Sequence, residues 1–297
     1  MPVKEGGMEK NELYMAIAAA LAELKRESAE ITLHDAPPAE SRSKFGGEPD
    51  LPSDFVWPRY FGMNYADDVE AERPLAFLAQ IDLSQVRLGG GLLPESGLLS
   101  FFYELESSPW GFDPKNAGCA RVYYFPEGSV LSRRALPEEL AEECRLPAFG
   151  MSFKAEDTVP DIETFCDTPQ GAAIAERFGD IDCDDYCEVR RQLGFEEKEG
   201  VTRLLGWPET IQGAMEYECE AVSRGIYMGG LTDTPPEVRA DIRRKSGEWT
   251  LLFQLASVEC GGYELMFGDL GTLYFWIRRQ DLAERRFDRV WLVLQCG

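Results

Sequence analysis

Between residues 9 and 28, Leu13, Ala16, Ile17, Ala20, Leu21 and Leu24 recur at steps of three and four opposite Glu12, Glu23 and Lys25. That spacing predicts an amphipathic helix packed by one face. After His34-Asp35-Ala36-Pro37-Pro38 the pattern breaks, and Lys44-Phe45-Gly46-Gly47-Glu48-Pro49-Asp50-Leu51-Pro52, running on to Trp57-Pro58, is punctuated by glycine and proline as a structured loop is. Leu75 to Asp82, Gly97 to Tyr103 and Arg121 to Phe125 carry the aliphatic and aromatic density of buried strands, and the same density returns in Leu251 to Leu255, Gly271 to Ile277 and Arg289 to Leu294.

The two sets share a register. Gln80 and Gln254 stand 174 positions apart, as do Leu78 and Leu252, Gly97 and Gly271, Leu99 and Leu273, and Phe101 and Phe275. Arg121-Val122 and Arg289-Val290 repeat at 168, a difference that a shorter loop absorbs. Upstream, Gly46-Gly47-Glu48-Pro49 has a weaker counterpart in Leu205-Gly206-Trp207-Pro208. The pattern predicts an α+β fold of internally duplicated β-rich units related by a pseudo-twofold, with peripheral helices. One globular body is expected over 1–297: an N-terminal helix and linker (1–43), a first β-rich repeat (44–126), an acidic helical insertion (127–202) and a second repeat (203–297).

Charge narrows the partners. Thirty Lys and Arg against 53 Asp and Glu give a formal charge of −23, which argues against nucleic acid and anionic membrane and favours a basic protein partner. Residues 131 to 200 concentrate 18 acidic and 8 basic side chains, with helical pieces expected at Pro137 to Cys144, Pro169 to Phe178 and Asp184 to Leu193. Asp182, Asp184 and Asp185 are the expected partner-docking residues of this segment. No apolar run reaches a membrane span and no signal-peptide h-region opens the chain, so a cytoplasmic address is expected, with the eight scattered cysteines reduced.

Most familiar chemistry lacks its residues. One histidine, His34, and the absence of Cys-x-x-Cys leave no zinc ligand set, and Cys183 with Cys187 shows only helical spacing, so neither metal nor cofactor is expected. Gly89-Gly90-Gly91 is followed by Leu92-Leu93-Pro94 and not by Gly-Lys-Ser/Thr, which makes it a turn. Asp180, Asp182 and Asp184 open like a calcium loop, but Asp185 and Arg191 stand where glycine and glutamate are required, so an acidic turn capping a helix is the simpler reading. Asp82 is answered by Ala256 in the repeat and leaves no symmetric acid pair. Arg278 to Arg286 is mixed in sign and reads as a solvated short helix.

Polar or broad-faced groups set among apolar strands are the candidate binding residues: Gln80 and Gln254, Asp269 in the Phe267 to Gly271 turn, and the indoles Trp57 and Trp276, with Trp110 and Trp207 beside them. Buried amides can equally bridge loop backbone, and buried indoles can equally fill core. No catalytic residue is assigned.

Lys44 to Gly47 with Pro49 and Leu51-Pro52, Pro74 to Leu83 with Leu93-Pro94, and Gly97 to Phe102 form an ordered series. It continues through Gly206 to Pro208 and Gln212, Trp249 to Gln254, Gly268-Asp269 with Gly271 and Leu273 to Ile277, and Phe287 to Trp291 through Gln295-Cys296. Over residues 44 to 297 the chain resembles the YwqG-like family of bacterial proteins, a domain of unknown function. The resemblance implies an α+β fold with a repeated β-rich unit. It also implies kinship with members that look like immunity proteins of toxin systems, and it implies no particular activity. The expected function is a binding or interaction module of immunity type that neutralises a basic protein partner; the alternative is an enzyme or small-ligand-binding protein using a cleft between the two repeats.

Overall fold

The structure is a computed structural model and describes residues 5–35, 42–64, 69–230 and 233–297. Its frame is a ten-stranded antiparallel sheet. In chain order the strands are β1 (Arg26–His34), β2 (Lys44–Phe45), β3 (Ala76–Asp82), β4 (Leu98–Tyr103), β5 (Ala120–Phe125), β6 (Phe149–Thr158), β7 (Thr202–Leu204), β8 (Trp249–Ala256), β9 (Thr272–Arg278) and β10 (Trp291–Gln295). Across the sheet the order is β5-β4-β3-β2-β6-β1-β7-β8-β9-β10. The central pair β6 and β1 is thus flanked by two four-stranded arms.

Corresponding positions in the arms match closely. β3 is third from one edge and β8 third from the other. The β3 to β4 pairing shifts register between Phe77 and Ala79, and the β8 to β9 pairing shifts between Leu251 and Phe253, 174 residues later in each case. Such a shift bends a strand, and both arms bend at the same residue. The sheet curls toward a barrel, bringing Phe101 of one arm within 4.5 Å (ring centroids) of Phe253 and 5.4 Å of Phe275 of the other. The space between them is filled by Phe45, Phe77, Ile81, Leu99, Leu255, Leu273 and Ile277, all nearly solvent-free.

The two central strands come from segments whose sequence pattern points elsewhere. The amphipathic helix, α1 (Glu5–Leu24), ends four residues before the predicted boundary, and Arg26 to His34 runs on as β1. The acidic segment 127–202 contributes β6, paired along the whole of β1 from Arg26 opposite Thr158 to His34 opposite Gly150. Glu27 with Asp157 and Glu30 with Lys154 and Glu156 put charge on both faces of these strands, which breaks the apolar-polar alternation that marks a strand.

The same segment supplies α2 (Ile162–Cys166), α3 (Pro169–Phe178) and α4 (Cys183–Gln192), which pack with α1 around Ile17, Leu21, Phe165, Tyr186 and Val189. Asp161, Thr168 and Asp182 cap these three helices by accepting from backbone N–H groups. Pro137 to Cys144 forms only a 3-10 turn at Glu142–Cys144, because the Arg145 guanidinium gathers the carbonyls of Pro137, Glu138 and Leu140 away from a helical ladder. α5 (Glu216–Ser223) lies over the outer face of the second arm, where Met215 and Cys219 meet Trp249 and Trp276; α6 (Pro236–Ser246) follows it, and α7 (Arg279–Ala283) continues directly from β9. No helix among the described residues is long and apolar enough to cross a membrane.

Candidate functional site

Both candidate glutamines are buried, and both serve as clamps on a loop. Gln80 accepts from the Asp50 N–H (2.9 Å) and donates to the Arg42 carbonyl (2.6 Å) and the Asp50 carboxylate (2.8 Å). Gln254 accepts from the Glu209 N–H (3.1 Å) and donates to the Val201 carbonyl (2.9 Å). A buried cation stands opposite each: Lys44 faces Gln80 and donates to the Glu48 carbonyl, while Arg203 faces Gln254 and donates to the Trp207 carbonyl (2.7 Å). A carboxylate completes each group, Asp50 with Arg133 at 3.0 Å and Glu209 with Arg203 at 3.4 Å. Every polar atom of the two glutamines is thereby satisfied inside the protein.

The remaining sequence candidates are dispersed. Trp57 donates to the Leu75 carbonyl (2.8 Å), stacks edge-on against Phe102, and lines a shallow surface groove with Val56, Arg59, Arg121 and Tyr123. Trp276 is wholly buried under α5, and exposed Asp269 accepts from the Gly297 N–H through its backbone carbonyl. Asp182 caps α4, Asp184 is exposed, and Asp185 binds Lys10 (2.7 Å) and the Tyr14 hydroxyl (2.9 Å), tying α4 to α1. Asp82 caps the turn Leu83–Gln85.

A different set of residues converges on a cavity of about 850 Å³. One wall is the loop after β3, from Leu83 through Arg87 and Gly89-Gly90-Gly91 to Glu95; the other is Leu205, Gly206, Thr250 and Arg279 of the second arm; Lys25, Arg26 and Glu27 at the start of β1 form the floor. The floor is locked in place by a turn. Leu205 and Gly206 both adopt left-handed backbone (φ 58° and 84°), and a Cβ on Gly206 would meet the Ser28 Cβ at 2.7 Å, so the close approach admits only glycine. The turn lets the Trp207 N–H donate to the Thr158 hydroxyl (2.8 Å), which donates to the Arg26 carbonyl (3.1 Å), while the Trp207 indole donates to the Leu24 carbonyl (2.7 Å).

The indole so placed lies under the Arg26 guanidinium, 3.2 Å from the ring centroid. Arg26 makes no ion pair or side-chain hydrogen bond with any described residue, and its Nη1 is buried without a partner. Burial, with the charge of Arg279 nearby, lowers its pKa to about 9. Behind it burial pushes the Glu216 carboxyl up to about 7, with Asp161 raising it further and Arg26 opposing the rise. A desolvated, unpaired cation beside a second arginine is an arrangement that an anion stabilises.

Sequence reasoning missed Arg26, Arg87 and Arg279. Arg26 sits at a helix end, Arg279 lies in a run that reads as solvated, and the triple glycine reads as a plain turn; stretches far apart in the chain meet here through the curl of the sheet. Among the described residues no group of three or more His, Cys, Asp or Glu side chains can hold a metal ion.

One large antiparallel sheet with helices packed on its flanks places the protein in the α+β class. Residues 43–296 match a family described as Domain of unknown function (DUF1963), and the chain belongs to that family. Comparison with curated proteins found no match.

Proposed function

We propose that the protein is a binding module made of two duplicated arms that hold a small ligand in the cleft where they meet. The observation that carries this reading is the 850 Å³ cavity whose walls come from both arms and from the strand between them. Support for duplication comes from the counterpart positions of β3 and β8, the bends 174 residues apart, and the two clamps in which glutamine, cation and carboxylate recur in the same order. The resemblance to YwqG-like proteins is in keeping with it.

Gly89→Trp places an indole at the cavity mouth, at an exposed loop position where the backbone is unstrained. In a thermal-shift screen of small polar metabolites, compounds that stabilise the wild type are expected to lose their effect on this variant. Stabilising compounds that act equally on both proteins would overturn the reading.

The charge of −23 supports a second reading, long-range attraction of a basic protein partner. Asp184, Glu196 and Glu199 are exposed on the acidic segment and are the positions at which reversal leaves the α4 cap and the Lys10 pair intact. Association with a lysine-rich peptide is expected to slow as salt shortens the Debye length to about 8 Å and to slow again on the triple reversal. A rate indifferent to both excludes that surface.

A further inference from the structure

We infer that the cleft binds an oxyanion, a phosphate- or carboxylate-bearing small molecule whose charged group sits between the guanidinium groups of Arg26 and Arg279, with Arg87 closing over it from the glycine-rich loop. The inference rests on the cleft reading above and names its ligand class. In a chain with 53 acidic side chains, most basic groups find a carboxylate; Arg26, Arg87 and Arg279 line one cavity and pair with none among the described residues.

Arg26 is the informative member. Its guanidinium is held by the Trp207 face, its Nη1 is shut off from solvent, and the charges near it are Arg279 and the Glu216 carboxyl behind it, which makes no hydrogen bond or ion pair with either arginine. A partly buried guanidinium beside a second, solvent-facing one is repelled by it, and an anion entering between them relieves that repulsion. Guanidinium groups present paired N–H donors that match the planar oxygens of carboxylate and the edges of phosphate. Lys25, which also lines the cavity, is already paired with Asp157. Glu27 and Glu95 also line the cavity, and the Glu27 carboxylate lies against Gly89 and Gly90 at the loop. Those carboxylates favour a ligand that carries hydroxyl or amino donors beyond its oxyanion.

The test is calorimetric titration of the full chain with inorganic pyrophosphate and, separately, with citrate, at about 150 mM salt so that the long-range repulsion of an anion by a chain of charge −23 is screened. Binding of either probe is expected, and preference between them identifies the oxyanion. Arg279→Gln, at an exposed position where folding is not at risk, is expected to weaken binding about tenfold, as is Arg26→Gln. Arg26→Lys, which keeps the charge and loses the fork, is expected to fall between. Arg121→Gln, on the separate Trp57 groove, is expected to leave affinity unchanged. If neither probe binds, or if both arginine variants bind as the wild type does, the oxyanion inference is overturned. In that event a neutral compound whose stabilisation is lost in Gly89→Trp would leave the cleft reading standing, whereas no such compound would remove both.

Discussion

Glu216 shows how one buried group shapes both pH response and the cleft. Its pKa is about 7 in the folded protein against an ordinary 4.5, with burial as the main cause. The folded state therefore holds this proton while the unfolded chain releases it, so stability from this group is fully present below about pH 4.5 and is lost as pH rises toward 7. The loss is at most about 3 kcal/mol. Carboxylates whose pKa is lowered by partners, such as Asp50 and Glu220, have finished titrating by then and do not mask the slope. Urea midpoints measured between pH 5.5 and 8 are expected to fall in the wild type and to fall less in Glu216→Gln; an identical slope in the two would show that the group is solvated. Glu218, also raised to about 7 by burial, is expected to add a parallel contribution.

At the scale of elements, the glutamine clamps are what fasten the two glycine-bearing turns to their arms. Gln254→Leu leaves the Glu209 N–H and the Val201 carbonyl buried without partners, and a loss of about 2 to 4 kcal/mol is expected. Gln80→Leu strands the Asp50 N–H and the Arg42 carbonyl in the same way and is expected to cost a similar amount. Denaturant midpoints with unchanged m values check both, and a large cost at one with none at the other would break the equivalence of the clamps. Arg203 is a harsher case. It is 1 % exposed and lies between Glu156 and Glu209, both at 3.4 Å, so Arg203→Met leaves Glu156 with Lys198 alone and Glu209 with Arg190 alone at 3.8 Å, and is expected to destabilise by about 3 kcal/mol.

Across the whole molecule, all eight cysteines are free. Cys166 and Cys183 are exposed, whereas Cys119, Cys144, Cys219 and Cys296 are buried. Titration of the native protein with a thiol reagent is therefore expected to label the first two rapidly and the last four only after denaturant is added. Eight thiols in the unfolded chain is the expected endpoint, and a smaller number would mean a disulfide that the folded geometry does not contain. The net charge acts at the same scale: self-repulsion at −23 predicts a thermal midpoint that rises as salt is added, which a scan at increasing ionic strength checks.

Sequence alone determined the apolar strands of both arms, their shared register, the N-terminal helix and two of the acidic-segment helices, because each is a local pattern: a period of two or of 3.6, a proline or aspartate at a cap. It did not disclose that Arg26 to His34 and Phe149 to Thr158 are the centre of the sheet, since charged residues fall on both faces there, the period-two pattern is broken, and only pairing with a distant strand makes them strands. The candidate glutamines were legible as polar groups in apolar strands, but whether a buried amide faces a ligand or a loop depends on which loop arrives above it. The cleft was illegible for the same reason. Arg26, Arg87, Gly206 and Arg279 lie far apart along the chain and carry no common motif, and the curl of one sheet around its central strands decided that they share a cavity.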